Sequence, residues 1–158
     1  MTAEPQRLSG RVAVVTGGAS GIGQATAKLF ARHGATVFVG DYRVPSQAES
    51  SLRDLGIHTS PCDVRHVGDL QRLIDAATAS AGRLDIFVNN AGIGMVKQIG
   101  EVTESDWDNC LDTNLKAAFF GAKFAIPHLI AVGGRATNHR CQPVGAGVRS
   151  HESTRRNC

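Results

Sequence analysis

Between Val12 and Phe30 a continuous apolar run passes through a cluster of glycines directly into a helical period. Val12–Val15 has no polar alternation, which predicts a strand covered on both faces. Thr16-Gly17-Gly18-Ala19-Ser20-Gly21-Ile22-Gly23 follows at once. Ile22, Ala25, Leu29 and Phe30 then recur at helical spacing, and Gly34 stands where a helix stops. A strand can turn this sharply into a helix only where side chains are absent. The corner therefore commits the chain to a strand–turn–helix unit, the start of an α/β fold.

The unit repeats. Thr36–Val39 predicts a second strand ending at Asp41, and residues 45–55 a short helix closed by Gly56. Ile57–Ser60 predicts a weak third strand leading into Pro61-Cys62-Asp63. Leu70, Leu73, Ile74 and Ala77 form an amphipathic stripe, and Leu84–Val88 a fourth strand. Thr103 and Asp106 have the spacing of a capping box. One long helix, residues 105–131, is expected after it, with Trp107, Leu111, Leu115, Ala118, Ala122 and Ile126 along one face. Strands that alternate with helices predict parallel βαβ packing.

The glycine corner also predicts chemistry. A helix N-terminus offers free N–H groups and a positive dipole end to an anion, and glycines let a pyrophosphate come close. Thr16, Gly17, Ser20, Gly21, Ile22 and Gly23 are thus candidate cofactor-binding residues. Asp41, at the next strand end, can accept hydrogen bonds from ribose hydroxyls and repels a 2′-phosphate. NAD is expected over NADP, although Arg43 is a cation close enough to meet a phosphate.

Taken together, these residues resemble the short-chain dehydrogenase/reductase family over residues 9–132. The glycine loop matches that family's cofactor loop, and Asn89-Asn90-Ala91-Gly92 its strand-end motif. The resemblance implies that Asp63 and Val64 meet the adenine, and that Asn90, Ala91 and Gly92 border the cofactor. It implies a catalytic role for Asn114, holding a water in a proton relay, and a substrate near Met95. It implies a Rossmann-like, doubly wound parallel sheet, here its first four strands in the order 3-2-1-4. It also implies hydride transfer with a small alcohol or ketone, and homo-oligomers for intact members, an assembly less expected here.

The chemistry of that family needs a tyrosine, a lysine four residues later, and a serine. The 158 residues contain one tyrosine, Tyr42, beside Asp41 at the adenosine end. Lys28, Lys97, Lys116 and Lys123 are preceded at that distance by Gln24, Ile93, Asp112 and Phe119. The resemblance therefore implies a chain that binds NAD but is catalytically incomplete alone. A non-catalytic NAD-binding module, or the non-functional product of a shifted reading frame, is the alternative. A fourth strand left at the sheet edge and unpartnered Phe119, Phe120 and Phe124 predict marginal stability.

The break coincides with a change in composition. Residues 1–133 hold 12 Lys/Arg against 13 Asp/Glu, net −1, whereas residues 134–158 hold five Arg against one Glu, net +4. Residues 133–158 contain no Leu, Ile, Met, Phe, Tyr or Trp, and a disordered tail is expected there. The five arginines lack any organising fold, so nucleic acid is not an expected partner. No apolar run is long enough for a membrane span. Four cysteines without CxxC or zinc spacing point to no metal and to free thiols in the cytoplasm.

Overall fold

The computed structural model of the chain describes residues 6–133. The predicted tail, 134–158, lies outside the described residues. Four parallel strands, β1 (Val12–Thr16), β2 (Thr36–Asp41), β3 (His58–Pro61) and β4 (Ile86–Val88), form one sheet in the order β3-β2-β1-β4. The order expected from the resemblance is the order found.

Period-two alternation along β1 divides the core into two layers. Val12 and Val14 point to one face, with Phe38, Leu70, Leu73, Ile74, Ala117 and Ala125. Ala13 and Val15 point to the other, with Ala27, Val37, Val39, Leu52 and Ile57. Helix α3 (Val67–Ala81) and helix α5 (Ala117–Ala131) cover the first face; α1 (Gly21–Arg32) and α2 (Ser46–Arg53) cover the second. All five residues of β1 are buried, as a central strand roofed on both sides requires.

The long final helix is not the one expected. It runs as α4 (Glu104–Leu111), a π-helical turn at Asp112–Lys116, and α5. Thr103 does cap α4 through the reciprocal box with Asp106. The face turned inward is Thr113, Ala117, Gly121 and Ala125, while Trp107, Leu111, Leu115 and Phe119 are exposed. Each π turn inserts one residue and rotates the following face, which a constant 3.6 period does not foresee. Small residues also win at the contact because the backbone comes close. A Cβ on Gly121 would meet the Phe87 ring of β4 at 2.6 Å. Of the three phenylalanines expected to lose partners, Phe120 and Phe124 pack on the core and only Phe119 stands open.

One structural residue escaped the sequence reading. Asp85, just before β4, has a side chain only 4% exposed. It accepts hydrogen bonds from Arg83, from Arg11 and from the Val12 N–H, clamping the starts of β1 and β4 together. Burial alone would raise its pKa, but these donors override burial and hold it at about 2. Its folded pKa thus lies below the 3.8 of an ordinary aspartate, so the stabilisation is present above that value. It is lost as pH falls through about 2. Asp85→Asn should cost about 1–2 kcal/mol at neutral pH, the full linkage value being discounted because both guanidinium groups are partly in solvent. Urea unfolding at pH 7 and pH 3 checks this. Equal acid sensitivity in the parent and the variant would contradict it.

Among the described residues no helix is long and apolar enough to cross a membrane, and no group of three or more His, Cys, Asp or Glu is arranged to hold a metal ion.

Candidate functional site

The carboxyl ends of β1, β2 and β4 open into one cleft of about 690 Å³. The corner after β1 forms its floor. Gly17 takes φ +65° and lies so near β4 that a Cβ would stand 2.8 Å from the Ala91 Cα. Gly23 sits behind the loop, where a Cβ would fall 2.2 Å from the Gly17 carbonyl oxygen. These contacts pull the first turn of α1 against the strand ends. Ser20 is the N-cap of α1, extended, and its side chain makes no capping hydrogen bond. The N–H groups of the first turn have no acceptor within the helix, so they are available to an anion. Gly21 carries φ +52° with nothing within 4 Å of the Cβ position, which is room for a ligand rather than for a side chain.

Thr16 is not a lining residue but the hub that ties the corner to β4. It is fully buried. Its hydroxyl accepts from the N–H groups of Asn90 and Ala91 and donates to the Val88 carbonyl. Asn90 returns the link, its amide donating to the carbonyls of Thr16 at 3.1 Å and Gly17 at 3.0 Å. A strand-end Asn thus holds the glycine loop from across the sheet.

Asp41 closes the second side. One carboxylate oxygen accepts the Ala19 N–H at 3.0 Å, and the other accepts the Arg43 N–H at 3.2 Å. This fixes a negative charge at the cleft edge, next to the loop. Tyr42 follows it, largely exposed, with the guanidinium carbons of Arg43 and Arg65 5.5 and 5.6 Å from its ring centre. Asp63 is bound by Arg65 through both carboxylate oxygens, and these hydrogen bonds hold its carboxyl below the usual range. Cys62 beside it is a buried thiol. Burial and the neighbouring carboxylates of Asp69 and Asp63 push it up to about 12, so it supplies no thiolate nucleophile.

Gly17, Ser20, Gly21, Ile22, Asp41, Asp63, Val64, Asn90, Ala91 and Gly92 all line the cleft. Thr16 and Gly23 stand behind its wall as supports. Ile22 is 81% exposed on the first turn of a helix, an apolar side chain left at the mouth of the cleft. Asn114 lies just outside. Its side chain is held at 2.9 Å in both directions by the Ile93 backbone, accepting its N–H and donating to its carbonyl. The π turn brings it there, and Ile93 is itself a lining residue. Met95 is not among the residues that line the cleft.

Arg65, Asn109 and Thr113 also line the cleft and were not expected. Arg65 stands two residues from Asp63, a spacing too common to mark a site. Asn109 meets it from 44 positions away, and no local pattern carries such a contact.

Known proteins share the family and the fold. The family model described as short chain dehydrogenase matches residues 11–138. Momilactone A synthase of Oryza sativa subsp. japonica is 42% identical over 130 residues, 79% of this chain and 47% of that protein. The mitochondrial borneol dehydrogenase of Lavandula x intermedia is 42% identical over 122 residues, covering 76% and 47%. A crystal structure of a short chain dehydrogenase from Burkholderia cenocepacia J2315 in complex with NADP superposes with a TM-score of 0.75 at 31% identity. It covers 78% of this chain and 52% of that one. The chain spans about half the length of the curated relatives it matches.

Proposed function

The chain belongs to the short-chain dehydrogenase family, and on that premise we propose that its cleft binds NAD as the nucleotide half of an oxidoreductase that interconverts a small alcohol and a ketone. One observation carries the reading. The free N-terminal turn of α1 and the Asp41 carboxylate open into the same cleft, held together by the Ala19 N–H. The open space above Gly21 and the donors of that turn fit a pyrophosphate. Asp41 fits the two ribose hydroxyls, and Asp63 and Val64 fit the base. A nicotinamide cofactor held by these residues would supply the hydride chemistry.

The residues of this chain bind and orient. Asn90 and Thr16 keep the loop rigid, and Asn114 fixes Ile93 at the nicotinamide end. In the family this asparagine serves a proton relay, and the same role is proposed here. No Tyr-x3-Lys pair occurs within the 158 residues. Their own contribution is therefore a dinucleotide-binding module that keeps Asn114 of the relay but lacks the pair that would exchange the carbonyl proton. Cys62 and Cys110 are free thiols, which suits a reducing cytoplasm.

The choice of NAD over NADP rests on Asp41, since a carboxylate at the ribose repels a 2′-phosphate. The relative solved with NADP makes this the point to test. Calorimetric titration of the full chain should give tighter binding of NAD than of NADP. Asp41→Ala should weaken NAD about tenfold, the worth of a hydrogen bond to a charged group, and narrow the difference. A parent that prefers NADP sinks the cofactor assignment. A parent that binds neither sinks the whole reading.

A further inference from the structure

The base end of the cleft is closed by a side chain that the nucleotide reading leaves unused. Arg65 bridges its two walls. It donates to Asp63 at the end of the β3 wall through Nε and one terminal nitrogen, and to Asn109 of α4 at 2.8 Å through the other. Its guanidinium lies 5.6 Å from the centre of the Tyr42 ring. Residues from the ends of β2 and β3 and from α4 thus hold one planar cation in place, and Tyr42, Asp63, Arg65 and Asn109 all line the cleft.

An arginine on an exposed loop ordinarily samples many rotamers, and fixing it costs side-chain entropy. Here carboxylate, amide and aromatic ring all restrict it, while its side chain remains 38% exposed. A guanidinium plane held open in this way stacks on flat π-systems, which an ammonium does not do. It also attracts the electron-rich face of a purine.

We infer that Arg65 is the positioning residue for the purine base, forming with Tyr42 a cationic, planar seat at the end of the cleft opposite the nicotinamide. The inference rests on the dinucleotide reading and deepens it. Its signature is selective: ligands that carry the adenosine half should feel Arg65, and ligands that lack it should not.

The test is calorimetry on the full chain with NAD, ADP-ribose and nicotinamide mononucleotide as the probes. Arg65→Ala should weaken NAD and ADP-ribose about tenfold and leave nicotinamide mononucleotide within twofold. Arg65→Lys keeps the charge but not the plane, and should weaken the adenosine ligands nearly as much. Asn109→Ala frees one terminal nitrogen while Asp63 still holds the rest, and should weaken them two- to threefold. Melting curves of all three variants check folding, and Asn109→Ala, which leaves the Asp63 pair intact, keeps the test open if an Arg65 variant is unstable. Arg65 variants that bind ADP-ribose as the parent does overturn this inference alone. So does an equal loss for all three probes, which marks a general structural role. A parent that binds no adenosine ligand overturns the nucleotide reading and this inference with it.

Discussion

Gly23→Ala is expected to weaken NAD binding about a hundredfold while lowering stability by about 1–3 kcal/mol. The new methyl would stand 2.2 Å from the Gly17 carbonyl oxygen and 2.5 Å from the Asn90 amide nitrogen. Those two atoms are hydrogen-bonded to each other, so neither can withdraw without breaking the link. The loop must move outward and carry the first-turn N–H groups with it. A shift that loses two donor contacts amounts to about a hundredfold in affinity. Gly100→Ala is the control, because its Cβ position has nothing within 4 Å. Calorimetry and urea unfolding read both effects. Retention of parental affinity in Gly23→Ala would show that the corner does not hold the pyrophosphate.

Thr16→Val should cost about 3 kcal/mol with little change in shape. Valine fills the same volume but accepts nothing, so the N–H groups of Asn90 and Ala91 lose their acceptor beside a buried side chain. Each orphaned donor costs about 1–3 kcal/mol. Thr16→Ser keeps the oxygen and should recover most of the loss. A difference of under about 0.5 kcal/mol between Thr16→Val and the parent, measured by urea unfolding, would mean that the hub is dispensable. The effect on NAD should follow stability, because Asn90 holds the loop only while β4 holds Asn90.

The two substitutions act on opposite faces of one idea. Gly23 matters because something must be absent, and Thr16 because something must be present. Both serve to bring the end of β4 and the turn after β1 together across more than 60 residues of intervening chain.

The strand–glycine–helix corner, the acid at the end of β2 and the Asn-Asn-Ala-Gly segment are all visible as local patterns. The first two are set by short-range chemistry, a backbone turn without a Cβ and a carboxylate at a strand end; the third was marked by the family resemblance, and its Asn90 acts on residues more than 70 positions away. Asp41 was therefore legible from its place at a strand end, whereas Asp63 was marked only by the family resemblance and its neighbour Arg65 by nothing; the parallel sheet was legible, since alternating strands and helices admit few arrangements. The Thr103 box was legible for the same reason, both partners lying within one turn.

What the tertiary structure alone decided are contacts between distant elements. The π turn at Asp112–Lys116 and the small-residue face of α5 answer to the Phe87 ring beneath them, not to a helical period. The Asp85 clamp, the Thr16 hub and the bridge from Asp63 through Arg65 to Asn109 each join segments whose separation in sequence carries no signal. The physical reason is the same in each case. A turn or a cap is stabilised by neighbours along the chain. A buried hydrogen bond across a sheet depends on where folding has placed its second partner.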